Sequence, residues 1–559
     1  MLVLDFFEID KKIKNQNRIK NTLQYVAFIN VFLWIVAALL DILTKIFRKI
    51  VNYKDFCNLQ KKYNMVRLFF IIAFMLLGIS TEAASKKNAP MVLVANQQGI
   101  VGDGATMNTQ AIQNAIDRIS ASKTGGTLVF GPGKYLTGLV ELKSNVELRL
   151  EKGATILGST NPYDFNNLNQ ASIGKRGDED VHQGLIVSEK AQNIKITGDG
   201  IIDARGLDLA LAIDSLHLIG ERIDPNYNTR RKRPSTRPKL LFFSNSENIL
   251  IKGVTFRNSA GWGLSMHCAN HLLIDSVTVV NRGYWNNDGI DINDCKNVIV
   301  RRCDINAADD GVCLKSDNPN TCCDSVLIED CQIASSASAV KFGTASYGGF
   351  KNVTIRNIYV YDTFRSAIAL ETVDGGILEN ILVDGIKAVN TGNAIFVRLG
   401  ARHNDRPGIC RNITIKNMSA EVPFGRPDEA YDLRGPEVSF FHNPFPSSIT
   451  GIPGRYVENV SLENIEIIYP GRATKGMAYH GLYRVKEVNE AIAEYPEFSM
   501  FGELPSWAFY VRHVKGISFK NIKVTLKESD FRPAFVFDDV EGLTIDQINL
   551  KEDQIFVAE

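Results

Sequence analysis

The sequence predicts an all-β chain wound as a parallel β-helix, closed at its N-terminal end by a capping helix and walled on one side by long loops. Three observations carry this prediction. First, one phrase recurs: a polar residue or Asn, then apolar, any, apolar, two polar, apolar. It reads ENILIKGVTF, NHLLIDSVTV, KNVIVRRCDI, DSVLIEDCQI, KNVTIRNIYV, ENILVDGIKA and RNITIKNMSA, and continues to EGLTIDQINL near the C-terminus. The residue before its first apolar position falls at Asn248, His271, Asn297, Ser325, Asn352, Asn380 and Asn412, a period mostly in the twenties. That period, with short β-runs in each repeat, is the signature of a parallel β-helix. Second, Asn287-Asp288-Gly289-Ile290-Asp291-Ile292 and Asp309-Asp310-Gly311-Val312-Cys313-Leu314 are near-copies set 22 residues apart. Third, Ile112, Ala115, Ile116 and Ile119 form one face of a helix just before the first β-runs, with Thr106 or Asn108 at its cap. Such a helix covers the strand edges that an open solenoid end would expose.

The elements follow in order. Met65-Val66-Arg67, the apolar run Leu68–Ile79 and the small residues Ala83-Ala84-Ser85 have the layout of a secretory signal peptide. Residues 1–64 are expected to be an upstream extension of the reading frame, 65–84 the signal peptide, and 90–559 an exported domain. The mature protein should then start near Ala84 or Ser85. Sequencing the N-terminus of protein from its native host checks this; recovery of residues 1–64 would refute it. The apolar stretch Val26–Leu40 is the other membrane candidate, and no stable membrane insertion of the mature chain is expected. After the capping helix come GGTLVFGPGKYLTG, read as strand, turn and strand, and then the repeats. Insertions at Arg205–Lys239, Pro423–Arg455 and Pro470–Trp507 are read as loops that wall a cleft. The recurring Asn suits an internal amide ladder at a tight bend.

Composition excludes some functions. A net charge of +1 over 559 residues, 45% of them apolar, gives no global bias toward nucleic acid or membrane. The run Arg230-Arg231-Lys232-Arg233, with Arg237 and Lys239, is read as a solvated loop or a rim for an acidic polysaccharide. The eight cysteines from Cys268 to Cys410 do not match zinc spacing, and no metal or other cofactor is expected. Cys303 and Cys331 share one slot of successive repeats, which suits either a disulfide-bearing exported protein or a stack of buried thiols.

The two near-copies carry the chemistry. Residues one coil apart stack at roughly 4.8 Å, so Asp310 should lie over Asp288 and Asp309 over Asn287. Ile290, Ile292, Val312 and Leu314 would face inward. Asp288, Asp309 and Asp310 then gather where a turn enters a strand, and crowding should raise at least one of their pKa values, Asp309 among them. Asn-Asp and Asp-Gly are also ordinary turn formers, but stacked carboxylates repel, and a purely structural turn would not need them.

These motifs, with GDGATMNTQAIQNAID and LKSNVELRLEKGATILGS, resemble glycoside hydrolase family 28, the polygalacturonase-like pectin hydrolases, over residues 95 to 555. The resemblance implies a right-handed parallel β-helix that hydrolyses α-linked galacturonic acid chains with inversion and without a metal. It implies Asp309 as general acid, Asp288 and Asp310 as the pair directing water, and Asn286 within the family's Asn-Thr-Asp motif. The chain departs from the family at two motifs. Ala337-Ser338-Ala339 stands where Gly-His-Gly is expected, and Ala369-Leu370-Glu371 where Arg-x-Lys is expected.

Register supplies replacements. With Ile290, Val312, Val340, Ile368 and Ile395 inward, one outward column is Asp291, Cys313, Lys341, Ala369 and Phe396. The next is Asn293, Lys315, Gly343, Glu371 and Arg398. Lys315, Lys341 and Arg398 are therefore expected to bind an anionic sugar, with Glu371 and Asp291 beside them; surface ion pairs of little weight are the plainer alternative. Arg365, Arg402 and His403 are weaker candidates, and His267 is read as structural. Tyr284, Trp262, Trp285, Tyr347 and Trp507 are candidate sugar platforms. The expected substrate is an acidic polysaccharide or its oligosaccharides, attacked from an end by a monomer. A polysaccharide lyase and a non-catalytic carbohydrate-binding β-helix are the alternatives.

Overall fold

Stacking of the repeated apolar positions builds the core. Leu272, Val298, Val326, Val353, Ile381, Ile413, Val460 and Ile517 are paired one above another in parallel register, and all are buried. Every pairing between strands is parallel, so each coil must return to the same side of the molecule before the next begins. The result is a right-handed parallel β-helix. The computed structural model describes residues 89–165, 183–221, 237–403, 408–428, 445–475 and 482–558, and Pro90–Glu559 forms one compact unit. The predicted signal peptide and the basic run 230–233 lie outside the described residues. Among those described, no helix is long and apolar enough to cross a membrane.

Helix α1 (Thr109–Ser120) buries Ile112, Ala115, Ile116 and Ile119 against the first strands, the face that the periodicity predicts. Asn108 occupies the cap position, but its side chain accepts from the Val101 N–H and donates to the Thr106 and Leu136 carbonyls instead. A second helix, α2 (Gly206–Leu218), lies within the Arg205–Lys239 insertion.

The asparagine ladder is real but external. Asn248, Asn297, Asn352, Asn380 and Asn412 all sit at left-handed bends, with φ between 54° and 59°. Asn tolerates that conformation better than a branched residue. Asn412 donates to Asn380 at 3.2 Å and Asn380 to Asn352 at 3.1 Å, on the exposed edge of the bend. An inside position would have left backbone groups of the bend without solvent. Asn380→Val, with a β-branched side chain at φ 59°, should cost about 1–3 kcal/mol in urea unfolding. Asn380→Gly should cost no more than about 1 kcal/mol, the ladder bonds alone.

The eight described cysteines are free thiols. Cys303 and Cys331 are buried on successive coils, the Gln332 N–H donating to the Cys303 carbonyl and each thiol donating to a backbone carbonyl of its own coil, which realises the thiol-stack alternative.

Candidate active site

The site lies on one column of strands: β1 (Leu264–His267), β2 (Ile290–Asn293), β3 (Val312–Ser316), β4 (Val340–Ser346), β5 (Gly349–Thr372) and β6 (Ile377–Leu399). The predicted inward register is observed: Ile290 pairs with Val312, Val312 with Val340, Val340 with Ile368, and Ile368 with Ile395. Asp291, Cys313, Lys341, Ala369 and Phe396 follow as the outward column. The neighbouring column is interrupted. Lys315 pairs Asn293 and Glu371 pairs Arg398, but a register shift after Leu314 sets Ser316 against Ser346, so Lys315 does not pair Gly343. The two additional residues in β4 cause this.

Strand Lys296–Arg301 alternates buried and open positions, whereas β2 and β3 are buried on both faces. Something therefore covers the outer face of this column. Over the later coils the cover is the segment 482–508. Val485, Val488, Ala491, Phe498, Phe501 and Leu504 pack on Ala369, Phe396, Tyr510 and Val536, making a second apolar core outside the helix. Area removed from water drives this packing. The signal was present in the sequence, since the outward column turns apolar at Ala369 and Phe396.

Asp288, Asp309 and Asp310 meet at the turns before β2 and β3. One oxygen of each lies within 4.8 Å of the others, and all three side chains are buried. Stacking is as expected: the Asp309 N–H donates to the Asn287 carbonyl, and the Gly289 N–H to the Asp310 carbonyl. The Asp310 N–H donates to Asp309 Oδ1 at 2.9 Å, and the Ser338 N–H to Asp310 Oδ1 at 3.1 Å. Atoms that share one water at hydrogen-bond distance stand no more than about 5.6 Å apart, so one water can bridge these carboxylates. The spacing of the nearest oxygens is shorter than the roughly 6.5–9.5 Å expected for an inverting carboxyl pair.

Two buried lysines flank the trio, each shared by two carboxyls. Lys315 Nζ lies 3.7 Å from Asp288 and 3.4 Å from Asp291, donates to Cys313 Sγ at 3.2 Å, and sits 4.7 Å over the Trp262 ring. Lys341 Nζ lies 3.8 Å from Asp310 and 3.8 Å from Glu371. Burial disfavours both ammonium groups, but the neighbouring acids hold their pKa values above the ordinary lysine range. Burial also raises the carboxyls: Asp288 well above its usual range, with Asp291 and Asp309 adding to it, Asp291 to about 7, and Glu371 to about 8. Asp288 Oδ1, both Asp291 oxygens and Glu371 Oε2 are buried without a hydrogen-bond partner.

The trio is also the one group of clustered acids, among the described residues, with the spacing of a cation cage. Its two ammonium neighbours already supply the positive charge a divalent ion would bring, which makes it a poor fit for a metal.

The remaining candidates are engaged elsewhere. Arg398 donates to Thr450 Oγ1 and to the carbonyls of Gly451, Glu490 and Ala491, so it ties segment 482–508 to the coils and does not face a ligand. Asn286 accepts from Arg237 through Oδ1 at 3.1 Å. Arg365 pairs with Glu497 at 2.6 Å, and Arg402 clasps Asp374 with two bonds. His403 stacks on Tyr347 and contacts its hydroxyl, while His267 contacts Ser265 and packs against Phe242 and Trp262. Trp262, Tyr284 and Trp507 are buried, and Trp285 packs against the core. Nothing in the local sequence singles out Tyr495. Its hydroxyl accepts from Lys341 Nζ at 3.1 Å, yet 154 residues separate the two.

Residues 126–373 match the model of glycosyl hydrolases family 28. The chain is 26% identical over 263 residues to an exo-poly-alpha-D-galacturonosidase of Dickeya chrysanthemi, covering 42% of this chain and 43% of the relative. It is 24% identical over 325 residues to a polygalacturonase of Ralstonia solanacearum, covering 51% and 61%. It thus spans less than two thirds of these relatives. A crystal structure of a hyperthermoactive exopolygalacturonase from Thermotoga maritima superposes with a TM-score of 0.54 at 22% identity, covering 68% of this chain and 87% of that one, and so shares the fold.

Proposed function

Because residues 126–373 match the model of glycosyl hydrolases family 28, we propose that the chain hydrolyses glycosidic bonds in a pectin-type acidic polysaccharide or its oligosaccharides. The observation that carries this reading is the buried trio Asp288, Asp309 and Asp310 between two lysines that each bridge a pair of carboxyls. Three crowded acids can hold fewer charges than three, so the trio keeps a proton to give and a carboxylate to receive one. Asp309 protonates the leaving oxygen. Asp310, with the Lys341 ammonium and the Ser338 N–H beside it, directs the water together with Asp288. Attack by water opposite the leaving group inverts the anomeric centre. Action is from a chain end, a reading supported by the 482–508 segment, which packs over the outer face of the later coils. The protein works outside the cytoplasm, where such polymers are met.

The test is incubation with polygalacturonic acid and galacturonate oligomers, with products followed by NMR. Short products released from one end, with inverted configuration and no effect of chelator, support the reading. An unsaturated product lost on chelation would make the protein a lyase. Binding without product would make it a carbohydrate-binding β-helix.

A further inference from the structure

Recognition beside the trio does not rest on a free cation. The Lys341 ammonium already has Asp310 and Glu371 at 3.8 Å each and the Tyr495 hydroxyl at 3.1 Å, and it lies 4.8 Å from the centre of the Tyr495 ring. Arg365 is taken by Glu497 and Lys315 by Asp288 and Asp291. A sugar carboxylate arriving here would meet paired cations and several buried acids, which disfavours reading it by charge.

Tyr495 offers a different contact. Lys341 holds it by ring and hydroxyl, and that places its hydroxyl within about 7 Å of Asp310 Oδ2. The segment that carries it is anchored by the apolar cluster from Val485 to Leu504 and by the bonds of Arg398 to Glu490 and Ala491. Yet Tyr495 remains 46% exposed, unlike the buried Trp262, Tyr284 and Trp507. An aromatic ring fixed on one side and open on the other presents an apolar face to a ligand at little entropic cost. We propose that Tyr495 is the sugar-stacking platform of the subsite next to the reaction centre, and that this subsite reads the C–H face of a pyranose and not its carboxylate. Lys341 is then a positioning residue, holding Tyr495 on one side and Asp310 on the other.

This rests on the trio being the reaction centre, so the experiment separates the two. The probes are a galacturonate trimer and its methyl ester, with dissociation constants measured by calorimetry on otherwise intact protein. Tyr495→Ala should weaken binding of both by at least about tenfold, by a similar factor for each, and Tyr495→Phe should stay within about threefold of wild type. Thermal melts matching wild type confirm that both variants are folded. No change in Tyr495→Ala overturns the proposal, as does failure of wild type to bind either probe. An equal loss in Tyr495→Phe overturns it in favour of the hydroxyl. A loss confined to the free acid overturns it in favour of charge reading. Failure of the hydrolase reading shows up elsewhere, as absence of product with these binding results intact.

Discussion

Asp309→Asn is expected to lower turnover of the natural glycan by about 10²–10⁴-fold, the usual contribution of a general acid. The amide keeps the shape but cannot deliver a proton to the leaving oxygen. On an activated aryl glycoside, whose leaving group needs no proton, most of the rate should return. Asp310→Asn should lose activity on both substrates, because the water is no longer directed. Asp288→Asn should behave like Asp310→Asn, and this comparison is the informative one. Asp288 is the member of the trio whose pKa burial, Asp291 and Asp309 drive well upward, so it is the rival donor. Rescue of Asp288→Asn by the activated substrate, with none for Asp309→Asn, would transfer the acid role to Asp288. Steady-state rates on the two substrates decide it.

Lys341→Met should destabilise the protein by about 3–5 kcal/mol, read from denaturant midpoints, and lower activity with it. It removes an ammonium placed 3.8 Å from both Asp310 and Glu371 and leaves the buried Asp310 carboxyl without that counter-charge. The single Glu371→Gln change tests the pH dependence. Burial holds the Glu371 carboxyl at about 8 against an ordinary value of 4.5. Between those values the native state keeps a proton that the unfolded chain has released, so stability falls as pH rises through that window. Asp291, held at about 7, adds to the fall. Glu371→Gln should flatten the slope of stability between about pH 5 and 8. An unchanged slope would place its proton elsewhere.

The sequence by itself determined the helix, its repeat, the inward register and the meeting of the three aspartates. Each follows from local rules: side chains alternate along a strand, and residues one coil apart stack, so counting from Ile290 to Ile395 reaches the observed partners. The capping face of α1 was legible for the same reason, its spacing being that of a helix. Three things were decided only by the tertiary structure. The asparagine ladder lies outside because the left-handed bends point its side chains to solvent. The column through Lys315 breaks because β4 carries two residues more than its neighbour, which shifts the pairing after Leu314. Arg398 does not take the ligand-facing place that its outward position suggests. Arg398, counted outward, is covered by a segment some 90 residues away whose carbonyls capture it, and the same segment brings Tyr495 onto Lys341. A strand periodicity fixes which way a side chain points, but not what a distant loop lays over it; that is set by where apolar residues such as Phe396 and Tyr510 find cover.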